Sequence, residues 1–314
     1  MNIHYGCMTV SGLWCRAVCI FADAQAMVSL PQFCYIALMK NNHHVTIPAP
    51  ITSTANAEVK FLRALHERKY RRQSGWFLAE GTRICNEAVA LGWDMHRLAF
   101  LAGRDNETHV RKLLDALDRA DGRALPMSEK LLQRISRKDN PQMLLGAFRQ
   151  KWTDLDAVTP DLSRPWVALD RVRDPGNLGT IMRSADAAGA KGIILIDDCT
   201  DPYSVEAVRA SMGAIFNVEI VQCNQSDFVA FTQQWTNQNG QIIGTALPAS
   251  VDYRDADYSG ALMILMGNEQ AGLPPSLMQL CTQLIRLPML GRSDSLNLAV
   301  ATGVTLYEVL RNRR

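Results

Sequence analysis

The residues best suited to chemistry lie in strand-end loops of the C-terminal half. Gly267-Asn268-Glu269 follows the apolar run Leu262 to Met266, and a glycine there offers a backbone that a ligand can approach closely. Asn268 and Glu269 add hydrogen-bonding groups, although capping a helix would also account for Glu269. Further on, Leu287-Pro288-Met289-Leu290-Gly291 precedes Ser293-Asp294-Ser295-Leu296-Asn297, which opens an apolar helix. The first N–H groups of such a helix are free, and Ser295 and Asn297 suit either caps or ligand contacts. Upstream, Asp174-Pro175-Gly176-Asn177-Leu178-Gly179 links a strand to a helix that carries Arg183. A guanidinium is a permanent cation able to hold a phosphate in a fixed fork. Standing alone, Arg183 would read as a surface residue paired with Asp186 or Asp174. Gly176 and Gly179 fall short of GxGxxG, so a dinucleotide site has weak support.

These loops require a scaffold of alternating elements. Strands are expected at 166–169, 192–196, 217–221, 241–246, 261–266 and 284–287. Helices are expected at 178–188, 205–210, 227–237, 276–281 and 296–311. Short apolar strands alternating with helices predict a parallel sheet covered on both faces, with ligands at the carboxyl ends of its strands. The last helix is apolar nearly all round, with Thr302, Thr305 and Glu308 as its polar stripe, which suggests a partner subunit against it. Ahead of this half, short apolar runs (76–79, 97–101, 143–148) alternate with helical ones (84–91, 110–120, 128–135), predicting a small α/β domain over 52–150. Residues 151–165, with Pro160 and Pro165, read as a linker.

Charge divides along the same boundaries. Residues 57–150 hold eighteen basic and twelve acidic side chains, whereas residues 151–314 hold thirteen and eighteen. A basic domain ahead of an acidic one suggests a polyanion gripped by the first and worked on by the second, against the plainer alternative of ordinary solvated surfaces. The helix expected over 57–70 ends in Lys60, Arg63, Arg68, Lys69, Arg71 and Arg72, followed by Trp76 and Phe77. Cations beside aromatics suit nucleic acid; the aromatics are expected mostly buried and the cations mostly free. Eight cysteines show no CxxC pairing and no His partners at finger spacing, so no metal site is expected and reduced thiols are the default. Residues 1–50 are expected to be a poorly ordered extension, with Met39 as an alternative start. Arg16 breaks the apolar run Val10 to Ala22, so a signal peptide or membrane span fits poorly and a soluble, cytoplasmic protein is expected.

Taken together, Asn177-Leu178-Gly179 with Arg183, Gly267-Asn268-Glu269, Leu287-Pro288-Met289, Ser295-Leu296-Asn297 and Leu306-Tyr307-Glu308 resemble the three motifs of the SpoU (TrmH) branch of the SPOUT RNA methyltransferases. The preceding domain is similar to the ribosomal-protein-like substrate-binding module of many such enzymes, in 56–72, Phe77-Leu78-Ala79-Glu80-Gly81 and Pro141-Gln142. The resemblance covers about residues 52–314.

The resemblance implies an α/β domain over 166–314 with a deep trefoil knot, a rare exception to unknotted topology. It implies S-adenosylmethionine bound by Thr245, Ala246, Leu247, Gly267, Leu287, Met289 and Leu296, and a homodimer in which each site borrows from its neighbour. The product would be a 2'-O-methylated ribose, in ribosomal RNA rather than transfer RNA because of the separate N-terminal domain. An inactive RNA-binding relative is the competing reading. Arg183 takes the catalytic role by resemblance, as base, phosphate clamp or charge stabiliser, while Asn177, Glu269, Ser295 and Asn297 fix the surrounding geometry. Gln270-Ala271 stands where many relatives have glycine after the glutamate, which bears on the choice of target.

Overall fold

The computed structural model describes residues 47–137, 142–247, 249 and 251–313. The expected extension, apart from residues 47–50, lies outside the described residues, as does Pro141.

The first lobe begins with α1 (Ala57–Ala64), N-capped by Asn56, and α2 (Arg68–Ser74). One helix was expected across this stretch, and a tertiary contact divides it. Arg71 donates to the carbonyls of Leu65 and His66, both at 2.8 Å, so these acceptors at the break are satisfied from a distance. Then follow β1 (Trp76–Glu80), α3 (Thr82–Ala90), β2 (Met95–Leu101), α4 (Thr108–Arg119), β3 (Arg123–Met127), α5 (Glu129–Ser136) and β4 (Leu144–Arg149). Their sheet has the order β1-β4-β2-β3. The sequence pattern missed β3 because Pro126 interrupts it. Proline is tolerated on an edge strand, and β3 occupies that edge.

The second sheet uses β5 (Trp166–Asp170), β6 (Gly192–Ile196), β7 (Glu219–Cys223), β8 (Gly240–Thr245), β9 (Val251–Asp252), β10 (Ala261–Met266) and β11 (Gln283–Arg286). Its order is β7-β6-β5-β10-β8-β11-β9, and every pairing is parallel, as expected. The helices between and after these strands are α6 (Pro175–Ala187), α7 (Val205–Ala210), α8 (Gln225–Asn237), α9 (Pro275–Met278) and α10 (Leu298–Asn312). Strand order reverses between β5 and β10, whose following loops open a crevice at the sheet's carboxyl edge.

The two lobes share a core. Phe77, Trp93 and Phe148 of the first pack with Tyr203 and Phe216 of the second, and the Trp93 indole donates to the Phe216 carbonyl at 3.0 Å. Each large apolar side chain so buried contributes about 1.5–3 kcal/mol. Polar ties join them as well. Arg71 donates to Asp201 at 2.6 and 2.9 Å, and Arg209 donates to Glu80, which Ser136 of the first lobe also holds.

The polar stripe of α10 faces inward, contrary to expectation, beside the buried Leu298, Leu306 and Val309. Thr302 and Thr305 are fully buried and Glu308 nearly so, whereas Val300 and Tyr307 are 51% and 54% exposed. The threonine hydroxyls donate back to the carbonyls of Leu298 and Ala301, which removes their need for water.

Candidate active site

The crevice between the loops after β5 and β10 is a cleft of about 630 Å³ lined by polar groups, among them Arg171, Arg173, Asn177, Asn268, Glu269 and Asn297. Three sequence-predicted residues meet in it. Asn177 stands at the start of α6, where Asp174 is the N-cap and accepts from the Asn177 N–H at 2.6 Å. Asn297 is the N-cap of α10. Its Oδ1 accepts from the N–H groups of Ala299 and Val300, and its Nδ2 donates to Asn177 Oδ1 at 2.9 Å. Glu269 accepts from Asn177 Nδ2 at 3.3 Å and from the Arg173 N–H at 3.4 Å. Its carboxylate thus faces the positive end of α6 rather than capping a helix of its own. The loops after β5 and β10 are also clamped directly, because Asn268 Nδ2 donates to the Arg171 carbonyl at 2.8 Å.

Gly267 directly follows β10. A Cβ there would lie 2.2 Å from Gly272 C and from Leu273 N, so the missing side chain admits the protein's own returning loop. That loop closes through reciprocal Asn268 and Gly272 backbone bonds, with Asn268 Oδ1 accepting from the N–H groups of Gln270 and Ala271. Gly179 likewise serves packing, since a Cβ would fall 2.4 Å from Ala210 Cβ where α6 crosses α7.

Two expected catalytic residues stay outside this network. Ser295 is exposed and, among the described residues, donates to Asp294 alone, at 3.4 Å. Arg183 is exposed on α6, away from the cleft lining, and no group among the described residues accepts from its guanidinium. The segments expected to hold the cofactor begin side by side. Thr245 pairs with Ile285, Gly244 with Leu265, and Thr245 Oγ1 donates to Met266 Sδ at 3.4 Å. Ala246 and Gly267 therefore follow adjacent strand ends, Leu287 and Met289 are half-buried, and Leu247 and Leu296 are 68% and 41% exposed. Apolar side chains open to solvent around adjoining strand ends fit a flat, partly apolar cofactor.

The six predicted RNA-binding cations divide. Lys60, Arg63, Lys69 and Arg72 are exposed. Arg71 is 3% exposed and committed to Asp201 and two carbonyls, so it does not belong among the free cations. Arg68 is half-buried and donates to Asp198 and to the Cys199 carbonyl. Sequence reasoning missed Arg171, Arg173 and Asp198, whose association depends on two loops meeting. Arg173 donates to Asp198 at 2.6 Å, and it holds that carboxyl below its usual range, with Arg68 adding to the effect.

A parallel α/β sheet with its cleft at the strand-order switch, behind a lobe with a basic helix, is the architecture of SPOUT methyltransferases that carry an N-terminal substrate-binding domain. Residues 165–307 match the SpoU rRNA Methylase family, and residues 56–146 match the MRM3-like substrate binding domain. An uncharacterised tRNA/rRNA methyltransferase of Synechocystis is 33% identical over 84% of this chain and 94% of its own. The 23S rRNA (uridine(2479)-2'-O)-methyltransferase of Streptomyces viridochromogenes is 31% identical over 79% of this chain and 87% of its own. Among solved structures, an AdoMet-bound rRNA methyltransferase from Sinorhizobium meliloti superposes with a TM-score of 0.79 at 44% identity, covering 84% of this chain and 98% of its own. The chain belongs to the SpoU rRNA methylase family.

Proposed function

We propose that the protein is an S-adenosylmethionine-dependent ribose 2'-O-methyltransferase of ribosomal RNA. The observation that carries this reading is the hydrogen-bonded set Asn177, Glu269 and Asn297, which ties three distant loops around one cleft in a chain of the SpoU family. The named 23S rRNA 2'-O-methyltransferase among its relatives and the substrate-binding domain over 56–146 favour ribosomal RNA.

Thr245, Ala246, Leu247, Gly267, Leu287, Met289 and Leu296 are the residues assigned to the cofactor, at the ends of β8, β10 and β11. When bound, it supplies a methyl group on a sulfonium already activated for displacement. The protein's remaining work is alignment of a ribose hydroxyl. Asn177, Glu269 and Asn297 fix the loops that frame it. Arg183, exposed and unpaired among the described residues, is assigned to the RNA phosphate and to the charge that develops at the 2'-oxygen. Ser295 keeps its assignment to substrate, being exposed at the mouth of α10.

A homodimer is part of the proposal. Val300 and Tyr307 leave an apolar face on α10, and α10 packs on α6 where Gly303 lies against Ser184, one residue from Arg183. A second copy over this face would enclose Arg183 between subunits. The trefoil knot also belongs here, supported by the placement of β10 and β11 on opposite sides of β8. Among the described residues no helix is long and apolar enough to cross a membrane, and no group of three or more His, Cys, Asp or Glu could hold a metal. A cytoplasmic location belongs to the same proposal, because ribosomal RNA as substrate favours it.

Transfer of labelled methyl from S-adenosylmethionine to total RNA, followed by mapping of ribose methylation, tests the reading. The wild type is expected to label ribosomal RNA and Arg183→Ala to fall by at least about a hundredfold, the scale of losing one transition-state charge contact. Equal labelling by both would reject the role of Arg183, and no labelling by the wild type would reject the function.

A further inference from the structure

The first lobe carries a column of flat groups that the cleft does not use. Trp76 stacks on His96 with ring centroids 4.3 Å apart and planes 12° from parallel. The Arg149 guanidinium carbon lies over the Trp76 ring at 5.4 Å, and Trp76 and Arg149 are opposite partners in the β1–β4 ladder. Phe61 closes one side, edge-on to His96 at 6.2 Å and to Tyr70 at 6.1 Å.

His96 reaches this column through an irregularity of the strand. In the pairing of β2 with β4, Met95 faces Phe148 and Arg97 faces Ala147, which leaves His96 as an extra residue. Bulges of this kind re-aim a side chain and are over-represented beside functional sites. Met95 is thereby kept in the shared core, while His96 stays half-buried beside Trp76. Burial and the neighbouring Arg97 hold the imidazole below its ordinary pKa, so at neutral pH it offers an uncharged π face.

Arg97, Arg123 and Arg149 act on His96 against the carboxylate of Glu58. Lys60, Lys69, Arg72, Arg123 and Arg149 are exposed on this lobe. Arg123 is paired with Glu58, whereas no group among the described residues accepts a hydrogen bond from the Arg149 guanidinium. A planar cation resting on an indole with its donors open is prearranged for a phosphate. A cluster that served only to cap the core would require neither the bulge nor the open guanidinium.

We propose that the Arg149–Trp76–His96 column is a stacking platform for an unpaired nucleobase of the substrate RNA, with Arg149 binding the adjoining phosphate. The inference rests on the reading of RNA as substrate. Duplex RNA hides its base faces, so the platform selects single-stranded segments.

Fluorescence anisotropy of a short labelled oligoadenosine, against a duplex RNA of equal length, tests it on the full chain without cofactor. Trp76→Leu is expected to weaken the single strand roughly 5- to 150-fold, the range for loss of one stacked base, and to leave the duplex nearly unchanged. Trp76→Phe is expected to retain most of the affinity, and Arg149→Ala to lower the salt slope by about 0.7, the loss of one phosphate contact. Unchanged affinity for the single strand in Trp76→Leu and Arg149→Ala overturns the platform, as does equal loss for both RNAs in Trp76→Phe. Methyl transfer, assayed separately, distinguishes the two readings. An active wild type whose variants bind normally loses only the platform, whereas an inactive wild type with a selective Trp76 effect loses only the enzymatic reading.

Discussion

Asn297 donates its side-chain amide to the Asn177 carbonyl oxygen at 2.9 Å, joining positions 120 residues apart in the chain. The same Asn297 oxygen caps α10, so one side chain both starts a helix and ties it to the loop after β5. Cap and tie use different atoms and can be separated by substitution.

Asn297→Asp keeps the capping oxygen and loses the donor. Unfolding stability is expected to fall by no more than about 0.5–1.5 kcal/mol, the worth of one hydrogen bond, while methyl transfer falls about tenfold. Asn297→Ala loses both and is expected to cost about 0.5–2 kcal/mol of stability in addition. Thermal unfolding with initial rates on the same preparations checks this. An Asp variant that unfolds like the Ala variant would refute the separation.

Arg71 illustrates the opposite outcome for a predicted RNA contact. It is buried against Asp201 and two carbonyls between the lobes. Arg71→Ala leaves a carboxylate unpaired and is expected to cost about 3–5 kcal/mol in denaturant unfolding. Lys69→Ala, on an exposed side chain, is expected to stay within about 0.5 kcal/mol. A mild Arg71→Ala would mean that water replaces the guanidinium.

Much of the architecture was readable because periodicity decides it. Buried runs such as Gly192–Ile196 and Ala261–Met266 have the length and composition of parallel strands, and both formed where expected. What escaped depends on partners distant in sequence. The break between α1 and α2 is satisfied by Arg71, and the hidden face of α10 by threonines bonding their own helix. In the site, Asn177, Glu269 and Asn297 were legible from type and loop position. Asp198 was not, because only the meeting of two loops places it on Arg173. Arg183 was legible as a cation on the helix after β5, but its place outside the cleft lining was not.

Glu58 gives stability a pH dependence. Burial alone would raise its pKa, but hydrogen bonds from Arg97 at 2.6 Å and Arg123 at 2.8 Å outweigh that effect and the net shift is downward. A carboxyl whose folded pKa is depressed contributes fully above its unfolded value, about 4.3, and loses that contribution as pH falls through the folded value. The wild type is therefore expected to lose melting temperature more steeply below about pH 4.3 than Glu58→Gln. Parallel curves for the two proteins would remove Glu58 from the account.

Asp198 stands between the basic helix of the first lobe and the cleft. Its carboxylate accepts from Arg173 at 2.6 Å and from Arg68 at 3.5 Å, and its side chain is 68% exposed. Such open ion pairs add little stability, so Asp198→Asn is expected to unfold at nearly the wild-type denaturant midpoint. The carboxylate lies where a phosphodiester oxygen could take the same donors, and its neutralisation leaves Arg173 available beside the cleft. RNA affinity at low salt is expected to rise severalfold, and the slope of log affinity against log salt to steepen by about 0.7 for each additional phosphate engaged on single-stranded RNA. Combining Asp198→Asn with Arg173→Ala should cancel the steepening. If the slope of the single variant equals that of the wild type, Arg173 and Arg68 do not meet the RNA, and the path from α2 to the cleft runs elsewhere.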